Sequence, residues 1–435
     1  MAAEALPVIT GGQEWCDCRT ASIPGGRGVF AKVDVPPGTV VLAEEPLLTV
    51  APCEVLPHES WHMAVARCIL ESKRQKELQE RLQVLHPRRL TDLAPHLREE
   101  VDGFQVDSPI ARKLADAAES AVTEEEVQLV LLKVRLNAFE SGLYIELALV
   151  NHACFPNCVK FGPGERSASL QGSWCPRSEI VAVREIRAGE EITISYIGAA
   201  GSSSSARAAL FRKQHLCELS PSPKPPCLEL EYWNPDIDVI EGFGSLAELE
   251  DVLDEESAGL DVKTSNVAAA LSLEKFKEIE KVARTALHPR HIVLCRLYRL
   301  ISRAARVVLA FSPDEAAAEQ LVHAAREVRA TQGLFLPSTH CDVAQVAEDL
   351  AVGISVLLAQ DRARLFAAFP VEYGDFNSAA AAEAALRREA NNIRKYYEEG
   401  DDSQGPTKSA KNGDGPLVAP AVVVPSAKED WSIFD

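Results

Sequence analysis

The sequence predicts an α+β protein in two parts: short β-strands carrying a helical insertion in the N-terminal half, then an all-helical C-terminal region. Three observations predict it. Apolar and polar residues alternate over short runs bounded by Gly and Pro near both Val29 and Ile192. Helical spacing with start signals appears between these two strand regions. From about Leu246 onward the pattern is nearly all helical. At 435 residues the chain has room for two or three domains.

Taken in order, residues 1–24 read as an N-terminal extension. Val29–Val33 and Thr39–Ala43 read as strands flanking a turn at Pro36-Pro37-Gly38. Residues from about 57 to 139 read as helical. Within them Thr123-Glu124-Glu125-Glu126 is a capping box, with Val127, Val130, Leu131 and Val134 on one face. Strand character returns at Ser169–Trp174, Ile180–Val183 and Ile192–Tyr196, and Ser202–Ser205 reads as a loop. Helices are expected at Ser272–Ala286, Arg290–Leu309, Ala316–Ala330, Val343–Ala359 and Ser378–Glu398. The third of these is introduced by Ser312 as N-cap, Pro313 at N1 and Glu315. The helical region spans 246–398. Residues 400–435 are rich in Gly, Ser, Pro, Asp and Lys, a composition expected to be disordered, and end in Trp431-Ser432-Ile433-Phe434-Asp435.

The formal net charge of −19 argues against direct nucleic acid binding, which needs Lys and Arg in excess on one face. It suits a basic protein partner through long-range steering. The opening residues lack a basic leader followed by an apolar run, and no stretch reaches ~18 consecutive apolar residues. A chain that stays in the cytoplasm or nucleus, off the membrane, is the expectation. In that reducing setting the 11 cysteines read as buried thiols and candidate metal ligands. Nothing in the chain signals an oligomer, so a monomer is expected.

Two blocks carry the chemistry. Asn151-His152-Ala153-Cys154-Phe155-Pro156-Asn157-Cys158 lies about 30 residues before Gly189-Glu190-Glu191-Ile192-Thr193-Ile194-Ser195-Tyr196. Taken singly, each residue reads as an ordinary turn, core histidine or strand-end aromatic. In order, and with Gly25-Gly26-Arg27-Gly28-Val29-Phe30 upstream, the blocks resemble the signatures of the SET domain. The resemblance covers about 25–227, with the helical insertion between the first and second blocks. Within that family the chain is similar to the SET-MYND group. Asn137-Ala138-Phe139 and Gly142-Leu143-Tyr144 stand where that group has them, and the C-terminal helices are similar to its tetratricopeptide-like domain.

The resemblance implies a protein-lysine N-methyltransferase using S-adenosylmethionine, with Tyr196 as the catalytic hydroxyl. It implies that Asn151 and His152 backbone groups hold the adenine, with the Asn-His segment threaded in a knot-like arrangement. Asn137 and Asn151 side chains hold the amino acid end, and Arg27 and Gly28 lie along it. The helical region would flank the protein substrate. An accessible lysine in a basic segment, on a histone or another protein, would be the target. Ile194 stands where many members carry Phe or Tyr that limits the number of methyls, so product multiplicity stays open.

The chain also departs from the family. Only Cys53 and Cys68 lie where a MYND zinc finger would need a run of ligands. The degenerate post-SET segment, about 206–227, supplies Cys217 and Cys227, which with Cys154 make three zinc ligands, Cys158 or His215 being a fourth. Their spacing fits a tetrahedral site poorly, so zinc stays open. Cys16-Asp17-Cys18 reads as no site. Eroded post-SET cysteines favour the alternative, a catalytically silent scaffold that binds partners through its helices. Intact Asn151, His152 and Tyr196 favour the enzyme.

Overall fold

Two turns of the same construction organise the strands. Pro36-Pro37-Gly38 and Arg187-Ala188-Gly189 each close with an i to i+3 hydrogen bond, Thr39 N to Pro36 O at 3.3 Å and Glu190 N to Arg187 O at 3.0 Å. The glycines sit at φ +82° and +86°, a backbone region that costs other residues about 1–2 kcal/mol. No atom lies within 4 Å of where a Gly189 Cβ would sit, so Gly189→Ala meets backbone strain alone. That substitution is expected to cost about 1–2 kcal/mol and to lower the melting temperature by a few degrees. A melt superimposable on the wild type would contradict it.

In the computed structural model, the described residues are 6–21, 26–51, 55, 60–72, 75–93, 123–139, 141–163, 177–197, 203–215, 240, 243–262 and 266–397. The chain divides into two units, Met1–Pro225 and Pro226–Asp435.

The first unit holds β1 (Cys16–Thr20), β2 (Arg27–Ala31), β3 (Val40–Glu44), β4 (Ala138–Phe139), β5 (Gly142–Leu143), β6 (Asn151–His152), β7 (Cys158–Phe161), β8 (Ser178–Ala182) and β9 (Glu191–Ile194). They form sheets of order β1-β2-β9-β6 and β3-β8-β7, with β4-β5 a small hairpin. The stretch read as an N-terminal extension thus supplies the edge strand of the first sheet. Cys16 pairs with Ala31 and Thr20 with Arg27. Cys16 and Cys18 face the core, where burial raises both thiols. Register in β9 is set by alternation: Ile192 and Ile194 are buried while Glu191 and Thr193 face the other way. A one-residue slip would expose both isoleucines, at about 1.5–3 kcal/mol each, so it is suppressed. The strand expected at Ser169–Trp174 lies outside the described residues.

The insertion contributes α1 (Trp61–Glu71), α2 (Gln75–Leu82) and α3 (Glu124–Asn137). Thr123 caps α3 through the capping box, its hydroxyl accepting from Glu126 N at 3.2 Å while Glu126 accepts from Thr123 N at 2.8 Å. Val127, Val130, Leu131 and Val134 pack into one core with Ile69 and Leu82. After β9 comes α4 (Ser204–His215). The serine run is therefore not all loop: Ser203 accepts from Ala206 N at 3.3 Å and caps this helix.

The second unit is helical among its described residues: α5 (Leu246–Val262), α6 (Asn266–Ala286), α7 (Ile292–Phe311), α8 (Glu315–Gln332), α9 (Cys341–Gln360), α10 (Arg362–Ala368), α11 (Pro370–Tyr373) and α12 (Phe376–Arg394). From α6 to α9 each helix packs on the next, and α12 closes on α9. The core runs continuously through Phe276, Ile301, Leu321, Leu350 and Ile354. The cap of α8 is Asp314, accepting from Ala317 N at 2.7 Å, while the expected Ser312 ends α7. A carboxylate at that end also favours the helix dipole, which a serine hydroxyl does not. Among the described residues no helix is long and apolar enough to cross a membrane.

Two histidines cap helices here. His291 Nδ1 accepts from Val293 N at 3.3 Å and His340 Nδ1 from Asp342 N at 3.1 Å. Burial lowers His291 to about 4 and lowers His340 as well. A histidine depressed by folding stabilises fully above its unfolded value of about 6.5, and that contribution is lost as pH falls toward 4. Asp349, pushed up to about 6 by burial, acts in the opposite sense. Comparison with His291→Asn, which keeps a cap but does not titrate, isolates the histidine. Between pH 6.5 and 4.5 the wild type is expected to lose melting temperature more steeply than the variant. Parallel slopes would contradict this.

Candidate functional site

The site is built where β6 runs parallel to β9, with Asn151 opposite Thr193 and His152 opposite Ile194. Because β9 turns Glu191 and Thr193 away from the core, its polar face meets the two asparagines of the first block. Asn151 Nδ2 donates to Glu191 Oε1 at 2.7 Å and to Arg27 O at 2.8 Å. Asn157 Nδ2 donates to Glu190 Oε1 at 3.1 Å and Glu191 O at 2.8 Å, and its Oδ1 accepts from Thr193 N at 2.9 Å. Two asparagines thus pair with two glutamates, which is why the blocks belong together. Burial pushes Glu190 up, but hydrogen bonds from Arg184 and Asn157 outweigh it and hold the carboxyl below its ordinary value.

Beyond β9 the chain turns so that Tyr196 returns over β6. Its backbone N–H donates to His152 Nδ1 at 3.0 Å and its hydroxyl to Val150 O at 2.5 Å. The tyrosine is therefore fixed at both ends by the Asn-His segment. Helix α4 covers it with two rings one turn apart. Phe211 lies 4.7 Å from His152 and 6.1 Å from Tyr196, and His215 lies 5.0 Å from both Tyr196 and Phe211. Arg207, buried on the same helix, places its guanidinium 5.8 Å from the Phe155 ring. Burial lowers His152 to about 3, with His215 and Arg207 adding to the effect, and burial lowers His215 to about 4.

Gly28 lies under the Asn151–Glu191 pair. A Cβ there would stand 2.3 Å from Glu191 Oε1 and 2.9 Å from Asn151 Nδ2. The Arg27 side chain reaches Val84 O, and Asn137 Nδ2 donates to His86 O at 2.5 Å and Lys133 O at 2.8 Å. The short segment 84–86 thus ties Arg27 to Asn137. Burial lowers His86, Arg27 adding to the effect against the opposing pull of Asp92. Both asparagine amides spend their N–H groups on protein acceptors, and neither Oδ1 makes a hydrogen bond to a described residue.

The structure therefore joins Arg27, Gly28, Asn151, His152 and Tyr196 directly, and Asn137 through segment 84–86. Of the expected zinc ligands, Cys154 Sγ lies 3.6 Å from His152 Nε2, while Cys217 and Cys227 fall outside the described residues. Cys158, weighed as a fourth ligand, lies on β7. It is buried in the sheet core, and burial raises its thiol well above the ordinary range. His340, Cys341 and Asp342 lie close enough to share a metal, but their groups are otherwise engaged. His340 Nδ1 caps α9, Arg299 pairs with Asp342 at 2.9 Å, and burial raises the Cys341 thiol well above its ordinary range.

Sequence reasoning missed Glu191, Phe211, Arg207 and segment 84–86, and weighed His215 only as a metal ligand. The i, i+4 spacing of Phe211 and His215 after Tyr196 was the readable signal for the covering face. Segment 84–86 had none, because its role is to offer backbone carbonyls.

Residues 26–197 match the family model described as SET domain. A 101-residue stretch is 35% identical to histone-lysine N-methyltransferase SMYD3 of Mus musculus, covering 23% of this chain and 19% of that protein. The match thus spans about a fifth of the relative's length. Among solved structures, the SET domain of LSMT bound to lysine and AdoHcy aligns over 90% of this chain and 88% of its own, at 15% identity and a TM-score of 0.31.

Proposed function

We propose that this chain, whose residues 26–197 match the SET domain model, is a SET-domain enzyme that transfers a methyl group from S-adenosylmethionine to the side-chain amine of a lysine in a protein. The observation that carries the reading is the fixing of Tyr196 by Val150 O and His152 Nδ1, beside the Asn151 amide.

The donor set suits a ligand that is a zwitterion at one end. Two amide oxygens, on Asn137 and Asn151, accept from an ammonium, and the Arg27 guanidinium suits a carboxylate. When bound, S-adenosylmethionine supplies a methyl group made electrophilic by its sulfonium. The chain's own residues then have three tasks. Tyr196 donates its proton to Val150 O, so its oxygen presents lone pairs to an amine N–H and to polarised C–H groups. The Phe211, His215 and His152 rings line the approach with aromatic faces that exclude water, and desolvation there favours the neutral amine over ammonium. The parallel β6–β9 pairing holds these groups in one geometry, so alignment is built before substrate arrives.

The test is incubation of the full chain with S-adenosylmethionine and a panel of lysine-rich proteins, histones among them, read by mass spectrometry. Methyl mass added to lysine supports the reading. A folded chain that binds the cofactor and modifies no lysine in any of them would sink it in favour of a silent scaffold.

A further inference from the structure

We infer that Glu191 is a positioning residue for ammonium recognition: it turns the Asn151 amide so that Oδ1 faces the ligand, and lends its negative charge to the same spot. The inference rests on the cofactor reading above and adds a residue to it.

An asparagine amide can sit either way round unless its partners choose. Here both N–H groups of Asn151 point at acceptors, Arg27 O at 2.8 Å and Glu191 Oε1 at 2.7 Å. A flipped amide would set its oxygen against a carbonyl and a carboxylate, two acceptors with no hydrogen to share, so Oδ1 is forced to the other side. Of the two acceptors only Glu191 is a side chain.

The two adjacent glutamates differ in company. Glu190 is paired with the Arg184 guanidinium and with Asn157. The Glu191 carboxylate meets no cation among the described residues, and Asn151 is its hydrogen-bonding partner. It is also half-buried, so its charge is screened less than that of a surface acid. Its place against the backbone is reserved by Gly28, where a Cβ would come within 2.3 Å of Oε1. A carboxylate bonded to an amide whose oxygen is left for a ligand, with no cation beside it among the described residues, is suited to a ligand that brings one. The α-ammonium of the cofactor's amino acid end is that cation.

Calorimetric titration of the full chain with two ligands tests this. One is S-adenosylhomocysteine, and the other is its desamino analogue, in which the homocysteine part is a butanoate that keeps the carboxylate and lacks only the ammonium. The wild type is expected to prefer the first. Glu191→Ala should weaken it by about 10- to 100-fold while leaving the analogue within about 3-fold, erasing the preference. Glu191→Gln, which keeps an acceptor for Asn151 but no charge, should fall between and serves if the alanine variant melts early. Equal weakening of both ligands would reduce Glu191 to a general prop and overturn the inference, as would no weakening of either. A folded wild type that binds neither ligand would instead overturn the cofactor reading, and the inference with it.

Discussion

Tyr196→Phe is expected to leave the fold and cofactor affinity close to wild type while lowering the methyl-transfer rate by about 100-fold or more. The ring keeps its neighbours Phe211, His215 and His152, and its backbone N–H still reaches His152 Nδ1. What is lost is one hydroxyl and its bond to Val150 O, worth about 1 kcal/mol to stability. In the proposed reaction the same atom is the acceptor that orients the amine, and lost alignment of reacting groups shows on the scale of 10²-fold. Single-turnover rates beside a cofactor titration separate the two effects. A rate within about 3-fold of wild type would remove Tyr196 from the reaction.

Gly28→Val is expected to act at the other end. A Cβ there would lie 2.3 Å from Glu191 Oε1 and 2.9 Å from Asn151 Nδ2, and the valine methyls add to the overlap. The carboxylate would have to swing away, releasing the Asn151 amide. Cofactor affinity should fall by about 10- to 100-fold, with overpacking costing about 1–3 kcal/mol of stability. Gly189→Ala is the control: it strains a turn whose missing side chain meets nothing, so it should lower stability and spare affinity. If the two variants lost affinity alike, the Gly28 floor would have no special part in the site.

Much of this was legible where local signals and tertiary demands agree. The Thr123 box and its apolar face appear as read, because cap and stripe are set by residues a few positions apart. The strand ending near Tyr196 was readable because Glu191-Ile192-Thr193-Ile194 alternates. Strand β6 was not, since two residues carry no periodicity and are held by parallel pairing to a partner 42 positions on. Strand β1 was missed because Cys-Asp-Cys-Arg-Thr resembles a polar extension until its sulfurs are seen packed in the core. The blocks that announce the site were visible, yet the bond of Asn151 to Glu191 depends on which face of β9 the glutamate takes, and that of Asn157 to Glu190 on the turn before the strand. Segment 84–86 lay beyond sequence reasoning because it contributes carbonyls, which every residue has. For β8 the expectation at Ile180–Val183 was two residues late at its start, Ser178 and Glu179 being paired with Glu44 and Ala43.

The Asn151–Arg27–Gly28 floor is expected to hold S-adenosylmethionine. Calorimetric titration of the purified full chain with that cofactor, beside Asn151→Ala, tests it most directly. Saturable one-site binding by the wild type, abolished by Asn151→Ala in a protein that still melts cooperatively, is the predicted result. A well-folded wild type that gives no heat of binding and no shift in melting temperature with the cofactor would contradict it.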